Sequence, residues 1–320
     1  MVFDSHLDTP SELLRGRDMF SDKPDQQVDL AKMQKGGVQA AFFALYTSAE
    51  TEPDAATKHA MEMAGAVESF IRHAGGPVAW AFSPADVRKN LASGKMSILL
   101  GMENGSPIQN SMDLLSAFYH LGVRYMTLTH NGDNAIADSA AEGKRWGGLS
   151  PFGREVVAEM NRLGMMVDLS HASDRTFWDC ITLSKAPVVA THSCCRALCS
   201  HRRNLTDEML RALAEKDGYV GINFYPWFLV DHPEERRPDV REIVDHIDHA
   251  VRLCGDDHVG IGTDFDGIEV TPEGVENIAC LPLVFEEMRR RGYTEEQISR
   301  IGGGNLLDVF DRSVKCSIID

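Results

Sequence analysis

Residues 98–103 read Ile98-Leu99-Leu100-Gly101-Met102-Glu103, an apolar run that ends in a carboxylate. A short apolar run bounded by polar turns predicts a buried strand. Runs of this kind recur along the chain and give eight candidate strands, at residues 2–5, 38–46, 97–102, 123–129, 165–170, 187–191, 218–224 and 258–263. Eight is the number of strands that a (β/α)8 barrel needs.

Helical patterns lie between these strands, with candidates at residues 55–73, 84–92, 111–121, 151–163, 206–214 and 240–253. Ser83-Pro84 and Ser150-Pro151 each place a capping serine before a proline at the first helical position, and Gly122 and Gly164 mark helix ends. Strands that alternate with helices pair in parallel through right-handed crossovers. The sequence therefore predicts an α/β protein built as a single (β/α)8 TIM-type barrel.

The main alternative is an open, doubly wound sheet. Such a sheet would be expected to carry a glycine-rich phosphate loop after an early strand. Neither Gly-x-Gly-x-x-Gly nor a P-loop lysine motif occurs there, and Gly302-Gly303-Gly304 comes too late in the chain. Composition is even, without repeats or linkers, which favours one domain over residues 1–320.

Charge and composition disfavour some classes of partner. The 320 residues carry a formal net charge of −16, whereas a surface that binds nucleic acid is basic. An anionic membrane surface is disfavoured for the same reason. Residues 1–6 contain the first candidate strand and show none of the features of a secretion signal. No apolar run reaches the roughly 20 residues that span a bilayer. We therefore expect a cytoplasmic protein without a nucleic-acid or membrane partner.

The seven cysteines are an odd number and include no Cys-x-x-Cys pair, so a disulfide framework is not expected. Cys194, Cys195 and Cys199 cluster after a histidine, which leaves a soft-metal or redox site as one interpretation. Small buried core thiols are the favoured interpretation.

Polar residues of a particular kind follow the candidate strands. In barrel enzymes the chemistry lies at the carboxyl ends of the strands. Six of the eight ends carry a metal-ligand or acid–base residue type: His6 with Asp8, Glu103, His130, His171, His192 and Asp264.

Five of these residues are candidate metal ligands. His6 and Asp8 are two residues apart, so on an extended strand both side chains point to one face and can hold one ion. Glu103 follows a buried run, where a carboxylate is costly without a cation, and its two oxygens can bridge two metals. His171 and His192 end successive strands, and neutral imidazole suits zinc. Hydrogen-bonded core histidines, a capping aspartate and a salt-bridged glutamate remain the structural alternatives.

The remaining polar residues are candidates for substrate contacts. His130 is favoured as a group that polarises the substrate, with a sixth ligand or a structural histidine as alternatives. Arg202 and Arg203 could hold a carboxylate in two parallel hydrogen bonds, although most loop arginines are solvated. Asp264 could transfer a proton or bind an amine, while Asp266 could simply shape the turn before a glycine.

The order and spacing of eight segments resemble the renal (membrane) dipeptidase family, peptidase family M19. These segments span nearly the whole chain: residues 4–10, 101–105, 124–130, 149–153, 168–173, 191–193, 202–205 and 262–267. This resemblance implies a barrel of the metal-dependent hydrolase type and a zinc-dependent dipeptidase, active as a homodimer on small peptides. The expected reaction is amide hydrolysis by a hydroxide that bridges two zinc ions, with L-Xaa-L-Xaa dipeptides as substrates and L-Xaa-D-Xaa dipeptides as further candidates.

The resemblance also implies a role for each candidate. Two zinc ions per chain would be held by His6 and Asp8 at one ion, His171 and His192 at the other, and Glu103 bridging both. Substrate would be contacted by His130 at the developing oxyanion, Arg203 at the terminal carboxylate and Asp264 at the amine or in proton transfer.

The sequence departs from mammalian members of this family at two places, and two functions other than that of a dipeptidase are alternatives. Ser11 stands where mammalian relatives place a tryptophan, and residues 224–228 differ from them, so side-chain preference does not transfer. A nucleobase deaminase or phosphotriesterase on the same barrel would usually open with His-x-His and often use a bridging lysine, unlike His6-Leu7-Asp8 and Glu103 here. A non-catalytic barrel would be expected to have lost a ligand, yet all five are present.

Overall fold

The computed structural model describes residues 1–141 and 144–317, so residues 318–320 of the predicted domain lie outside the described part. Within those ranges nine strands form one parallel sheet: β1 (Val2–Leu7), β2 (Val38–Tyr46), β3 (Val78–Trp80), β4 (Met96–Glu103), β5 (Val123–Thr127), β6 (Met166–Asp168), β7 (Val188–Ser193), β8 (Tyr219–Ile222) and β9 (Val259–Ile261).

Eight of these strands follow one another round a nearly closed barrel, in the order β1-β2-β4-β5-β6-β7-β8-β9. The ring closes beyond the end of β9, where Asp8 N donates to Phe265 O at 3.0 Å and Asp264 N donates to His6 O at 3.1 Å. The predicted (β/α)8 fold is confirmed, and each of the eight candidate strands is present. Strand β3, which pairs with β4 off the barrel path, is not among the candidate strands of the sequence.

Helices surround the barrel. They are α1 (Thr9–Leu14), α2 (Leu30–Lys35), α3 (Pro53–Ala74), α4 (Pro84–Ala92), α5 (Met112–Leu121), α6 (Pro151–Leu163), α7 (Asp174–Leu183), α8 (Asp207–Glu215), α9 (Pro226–Leu229), α10 (Val240–Cys254), α11 (Leu281–Arg290), α12 (Glu295–Ser299) and α13 (Asn305–Lys315). The six predicted helices correspond to α3, α4, α5, α6, α8 and α10. The predicted caps are also present, since Ser83 Oγ accepts from Asp86 N at 3.2 Å and Ser150 Oγ accepts from Gly153 N at 2.9 Å.

Two apolar layers hold the fold together. One lies between the strands and the surrounding helices. The other fills the barrel, because alternate strand residues point inward; its members include Phe3, Phe42, Leu99, Tyr125, Val189 and Tyr219. Leu306 and Phe310 of α13 belong to this inner layer, so the last described helix packs against residues of the barrel interior.

The clustered cysteines are core thiols, as favoured from the sequence. Cys194, Cys195 and Cys199 are buried, and each Sγ donates to a backbone carbonyl at 3.2–3.4 Å. Burial raises the pKa of the Cys194 thiol well above its ordinary value, which disfavours the thiolate.

None of the helices in the described ranges combines the length and the apolar character needed to cross a membrane.

Candidate metal centre and active site

The candidate site lies at the carboxyl ends of the barrel strands, around a cavity of about 590 Å³. Five predicted residues line this cavity: Asp8, Glu103, His130, His171 and Asp264. The parallel strands explain this convergence, because their carboxyl ends meet at one rim of the barrel.

Glu103 lies at the centre of the predicted ligands. It ends β4 and is 3% exposed. Its Oε2 lies 3.6 Å from His6 Nε2, whereas its Oε1 lies 3.1 Å from His171 Nε2 and 3.3 Å from His192 Nε2. Asp8 Oδ2 lies 3.5 Å from the same His6 nitrogen. The two oxygens of one carboxylate therefore face two different sets of ligand atoms.

Several polar atoms at this point are buried without a partner. Among the described residues, His6 Nε2, His192 Nε2 and Asp8 Oδ1 accept or donate no hydrogen bond. A buried polar atom left unpaired costs about 1–3 kcal/mol, and a bound cation would remove that cost. Imidazole nitrogen and carboxylate oxygen are donors that zinc prefers, so the residues present fit a metal.

The potential ligand atoms form overlapping groups within the described ranges. Atoms within 4.8 Å of one another belong to three sets: His6, Glu103 and His192; Glu103, His130 and His171; His6, Asp8 and Asp264. All five predicted ligands appear in these sets. His192 lies near His6 as well as near Glu103, so these side chains also permit a grouping other than the one implied by the resemblance.

A hydrogen-bonded chain orients the His192 ring. Its Nδ1 lies 2.9 Å from Thr191 Oγ1, which itself donates to Asp168 Oδ2 at 2.7 Å. Because that hydroxyl proton is directed at the carboxylate, the hydroxyl oxygen accepts from Nδ1–H. This fixes the tautomer and leaves Nε2 free to face Glu103. Such supporting contacts set both the orientation and the basicity of a ligand.

The other two imidazoles have their own partners. His6 Nδ1 lies 2.8 Å from Tyr125 Oη, and His171 Nδ1 lies 2.9 Å from Asn131 Oδ1. The amide oxygen only accepts, so His171 carries its proton on Nδ1 and its Nε2 is free. All three rings therefore present Nε2 to Glu103.

Backbone strain is concentrated at the site. His171, Asp264 and Asp266 adopt left-handed φ values of 64°, 64° and 68°. This conformation costs a residue with a Cβ roughly 1–2 kcal/mol, and such strain persists only where the surroundings enforce it.

Burial and charge set the protonation of the site. Burial raises the pKa of Glu103, but the charge of His6 and the neighbouring His171 and His192 rings outweigh it and hold that pKa well below its ordinary value. Burial lowers the pKa of both His171 and His192. The pKa of His6 is also lowered by burial, yet Glu103 and Asp8 outweigh this and raise it. The ionised Glu103 and the neutral His171 and His192 are in the form that binds a metal, whereas His6 would release its proton on binding.

Two predicted substrate contacts adjoin the ligands. The His130 ring lies 4.3 Å from the His171 ring, and burial lowers the His130 pKa, which favours the neutral imidazole. Asp264 Oδ1 lies 3.9 Å from His6 Nε2, and its Oδ2 accepts from Asn223 Nδ2 at 2.8 Å. Burial raises the pKa of Asp264 to about 6.

The two loop arginines differ. Arg202 is exposed and donates to Ala141 O at 2.8 Å. Arg203 is 6% exposed, its guanidinium carbon lies 5.2 Å from the Phe228 ring centre, and its Nε has no hydrogen-bond partner among the described residues. No carboxylate in that part of the chain lies within ion-pair distance of it. Burial lowers the pKa of Arg203 to about 10, so it remains cationic at neutral pH.

Sequence reasoning missed the residues that support the site. The candidate strand at 218–224 includes Asn223, but β8 ends at Ile222. Asn223 is therefore a polar residue at the carboxyl end of β8, where the sequence analysis identifies no candidate site residue, and it donates to Asp264. Asp168, which accepts from Thr191 Oγ1, lies inside the candidate strand at 165–170, and the strand pattern indicates no role for it. Tyr125 and Asn131 gave no local signal, because one belongs to an apolar strand and the other to a polar loop.

A parallel barrel whose carboxyl ends gather imidazoles and carboxylates around a cavity has the architecture of metal-dependent (β/α)8 hydrolases. The chain belongs to the membrane dipeptidase family, peptidase family M19, whose sequence profile matches residues 1–317. The resemblance inferred from the sequence is confirmed.

Solved structures and a curated relative agree with this assignment. The chain is 32% identical to dipeptidase AC, a metallopeptidase of family M19, with a TM-score of 0.91 and 98% of each chain covered. It is 31% identical to a metallopeptidase from Rhodobacter sphaeroides bound to a phosphinate mimic of L-Ala-D-Ala, with a TM-score of 0.91 and coverage of 98% of this chain and 99% of that one. An uncharacterized dipeptidase of Schizosaccharomyces pombe is 43% identical over 217 residues, which are 67% of this chain. The match spans about half, 53%, of the yeast protein's length.

Proposed function

We propose that this protein is a zinc-dependent dipeptidase that uses two metal ions per chain. The observation that carries the proposal is the position of Glu103, whose two oxygens face the Nε2 atoms of separate imidazoles. His6 and Asp8 would hold one ion and His171 and His192 the other, with Glu103 contacting both. Bound zinc would lower the pKa of a coordinated water and polarise the scissile carbonyl.

The chain's own side chains would bind and orient the substrate. His130 lines the cavity beside His171 and would donate a hydrogen bond to the developing oxyanion. Asp264, held by Asn223, would receive a proton or bind the substrate amine. Both roles are supported by the position of these groups next to the proposed ligands.

Arg203 would bind the free carboxylate of a dipeptide. A buried guanidinium without an ion-pair partner in the described ranges is costly unless a ligand compensates it. Stacking on Phe228, whose ring lines the cavity, would hold the fork in place. This contact would restrict the enzyme to substrates with a carboxylate one residue beyond the cleaved bond.

The proposed substrates are L-Xaa-L-Xaa dipeptides, with L-Xaa-D-Xaa dipeptides as a second group. The Rhodobacter sphaeroides relative binds a mimic of an L,D-dipeptide, which supports testing both stereochemistries. A screen of zinc-loaded protein against a library of both kinds, together with metal analysis, tests the proposal. We expect turnover of free dipeptides and close to two zinc ions per chain. One tightly held ion with full activity would exclude the two-metal mechanism, and absence of turnover of every dipeptide would exclude the activity.

The cytoplasmic location, the homodimer and a single domain over residues 1–320 stay predictions. Fractionation of cells and sedimentation of the purified protein would test the first two, and limited proteolysis would test the third.

A further inference from the structure

Part of the segment between α1 and α2 lines the candidate cavity. Arg17 and Gln27 of this segment line the cavity together with Asp266 and Gly267 of the turn that follows β9. The two stretches are about 240 residues apart in sequence, and their contacts are polar.

Asp266 is the residue through which the two stretches are joined. Its Oδ1 forms an ion pair with Arg17, its Oδ2 accepts from Thr9 Oγ1 at 2.8 Å, and its backbone N–H donates to Gln27 Oε1 at 2.6 Å. Gln27 Nε2 in turn donates to Ile268 O at 2.7 Å. Asp266 is almost fully buried, with 1% of its side chain exposed, and Arg17 has 12% exposed.

These contacts act on a strained turn. Asp264 and Asp266 both have left-handed φ values, of 64° and 68°, and Gly267 N donates to Asp264 O at 3.0 Å. The conformation is uncommon for residues with a Cβ, although Asp adopts it more readily than most, so two such residues in one turn depend on support from their surroundings. The hydrogen bonds and the ion pair of Asp266 supply the outside contacts that hold the turn.

The turn also lies directly against the proposed metal ligands. A Cβ added to Gly267 would come within 2.1 Å of Asp8 Oδ2 and 2.7 Å of Asp264 Oδ1. A shift of the turn therefore shifts the Asp264 carboxylate, which lies 3.9 Å from His6 Nε2.

We infer that Arg17 and Asp266 are positioning residues, whose ion pair holds the turn at 264–267 and thereby fixes the Asp264 carboxylate beside the metal ligands. This inference rests on the proposed function only in that Asp264 acts on the substrate. Neither residue needs to touch the substrate, and Arg17 also neutralises a buried carboxylate that would otherwise add to the negative charge of the site. Glu12 Oε2, 2.9 Å from the second Arg17 nitrogen, holds the guanidinium from its other side.

Kinetics of zinc-loaded variants test whether the ion pair acts through Asp264. Arg17→Met should lower kcat/KM about 10- to 100-fold, the loss expected from misplacing a catalytic group by about 1 Å. The division of this loss between kcat and KM should match that of Asp264→Asn. Adding Arg17→Met to Asp264→Asn should lower kcat/KM by about twofold or less, because the Asp264 carboxylate that Arg17→Met would misplace is already absent. Arg17→Lys, which keeps the charge, should recover part of the loss.

Hydrogen exchange provides a measurement that does not depend on activity. Arg17→Met and Asp266→Asn should speed exchange of the amides of residues 262–268 and 17–28, both in metal-free and in zinc-loaded protein. Arg291→Met is the matched control, because Arg291 is 18% exposed and binds three carboxylates of α10 and α11 away from the cavity. It should change neither exchange in these segments nor kinetics.

The outcomes separate the inference from the proposed function. Inactive wild-type protein would exclude the dipeptidase activity, while the exchange data would still decide whether the ion pair holds the turn. If the wild type is active, two results would overturn the inference alone. Hydrogen exchange in Arg17→Met could equal that of the wild type, or the kcat/KM losses of Arg17→Met and Asp264→Asn could multiply in the double variant. If Arg17→Met fails to fold, Asp266→Asn and Arg17→Lys carry the same comparisons, since each alters the pair without leaving an unpaired buried charge.

Discussion

Arg203→Met is the substitution that most directly tests why this site should be specific for dipeptides. The guanidinium is 6% exposed and has no carboxylate partner among the described residues, so a substrate carboxylate would be its first ion pair. A charge-assisted hydrogen bond of this kind contributes about 1.5–3 kcal/mol. The corresponding loss is about ten- to a hundredfold in kcat/KM.

The assay compares two enzymes with two substrates. Wild type and Arg203→Met are each given a free dipeptide and the same dipeptide amidated at its carboxyl terminus. Amidation should cost wild type about ten- to a hundredfold, and Arg203→Met should impose a similar loss on the free dipeptide while hardly affecting the amide. Arg202→Met is the control, since this neighbour is exposed and donates to a backbone carbonyl.

Two results would refute the reasoning. Wild type could cleave amides as well as free dipeptides, or Arg203→Met could harm both substrates equally. Zinc content must be measured in parallel, because Arg203 Nη2 donates to His192 O at 3.3 Å and its removal could disturb a ligand. With normal zinc, either result would leave an unspecified two-zinc amide hydrolase.

Four further substitutions test other parts of the site and fold. Glu103→Gln should abolish turnover and reduce zinc content together, because it removes the charge that the two proposed ions would share; metal analysis and dipeptide assays measure both. Thr191→Val should weaken zinc binding about 10- to 100-fold by removing the acceptor of His192 Nδ1–H, as measured by competition with a chelator. Gly267→Ala should lower kcat on the order of a hundredfold, since the new Cβ would lie 2.1 Å from a site carboxylate oxygen. His246→Gln should flatten the acid limb of stability: burial lowers the His246 pKa to about 4, so only the unfolded chain takes up this proton between pH 6.5 and 4. Between pH 7 and 5 the free energy of unfolding of the wild type should therefore fall by about 2 kcal/mol more than that of the variant, as measured in urea titrations of metal-free protein.

Each of these has a matched control or a contrary result. Thr191→Ser keeps the hydroxyl and should bind zinc normally, and equal weakening in both variants would exclude the hydrogen-bonded chain. Gly65→Ala meets no atom within 4 Å and should be harmless. Retained zinc and activity in Glu103→Gln would show that the ligand is misassigned, and equal acid sensitivity with and without His246 would show that its burial does not govern this limb.

The sequence predicted the barrel strands and placed candidate site residues at their carboxyl ends, because both depend on local pattern. A buried apolar run indicates a strand, and polar residues at or just after its end lie at the barrel rim, as Glu103 and His171 do. The supporting contacts depend on the tertiary fold. Tyr125 reaches His6 across 119 residues of sequence, and Arg17 reaches Asp266 across 249. Nothing in the local sequence of either pair indicates the other member.

The distribution of buried charge links the stability of this barrel to its proposed chemistry. Among the carboxylates that line the cavity, four have largely buried side chains, those of Asp8, Glu103, Asp264 and Asp266, and of these four only Asp266 has an arginine in an ion pair. The other three face imidazoles, and burial favours the neutral form of His171 and His192, so these rings supply lone pairs more readily than positive charge. Buried carboxylates without counter-charge are unfavourable. The raised pKa of His6 allows one positive charge beside these three carboxylates, so bound cations would supply the rest, and loading with metal should stabilise the fold as well as activate it. Substitution of a ligand should therefore change thermal stability mainly in the metal-loaded protein, whereas substitution of Arg17 should change it with and without metal.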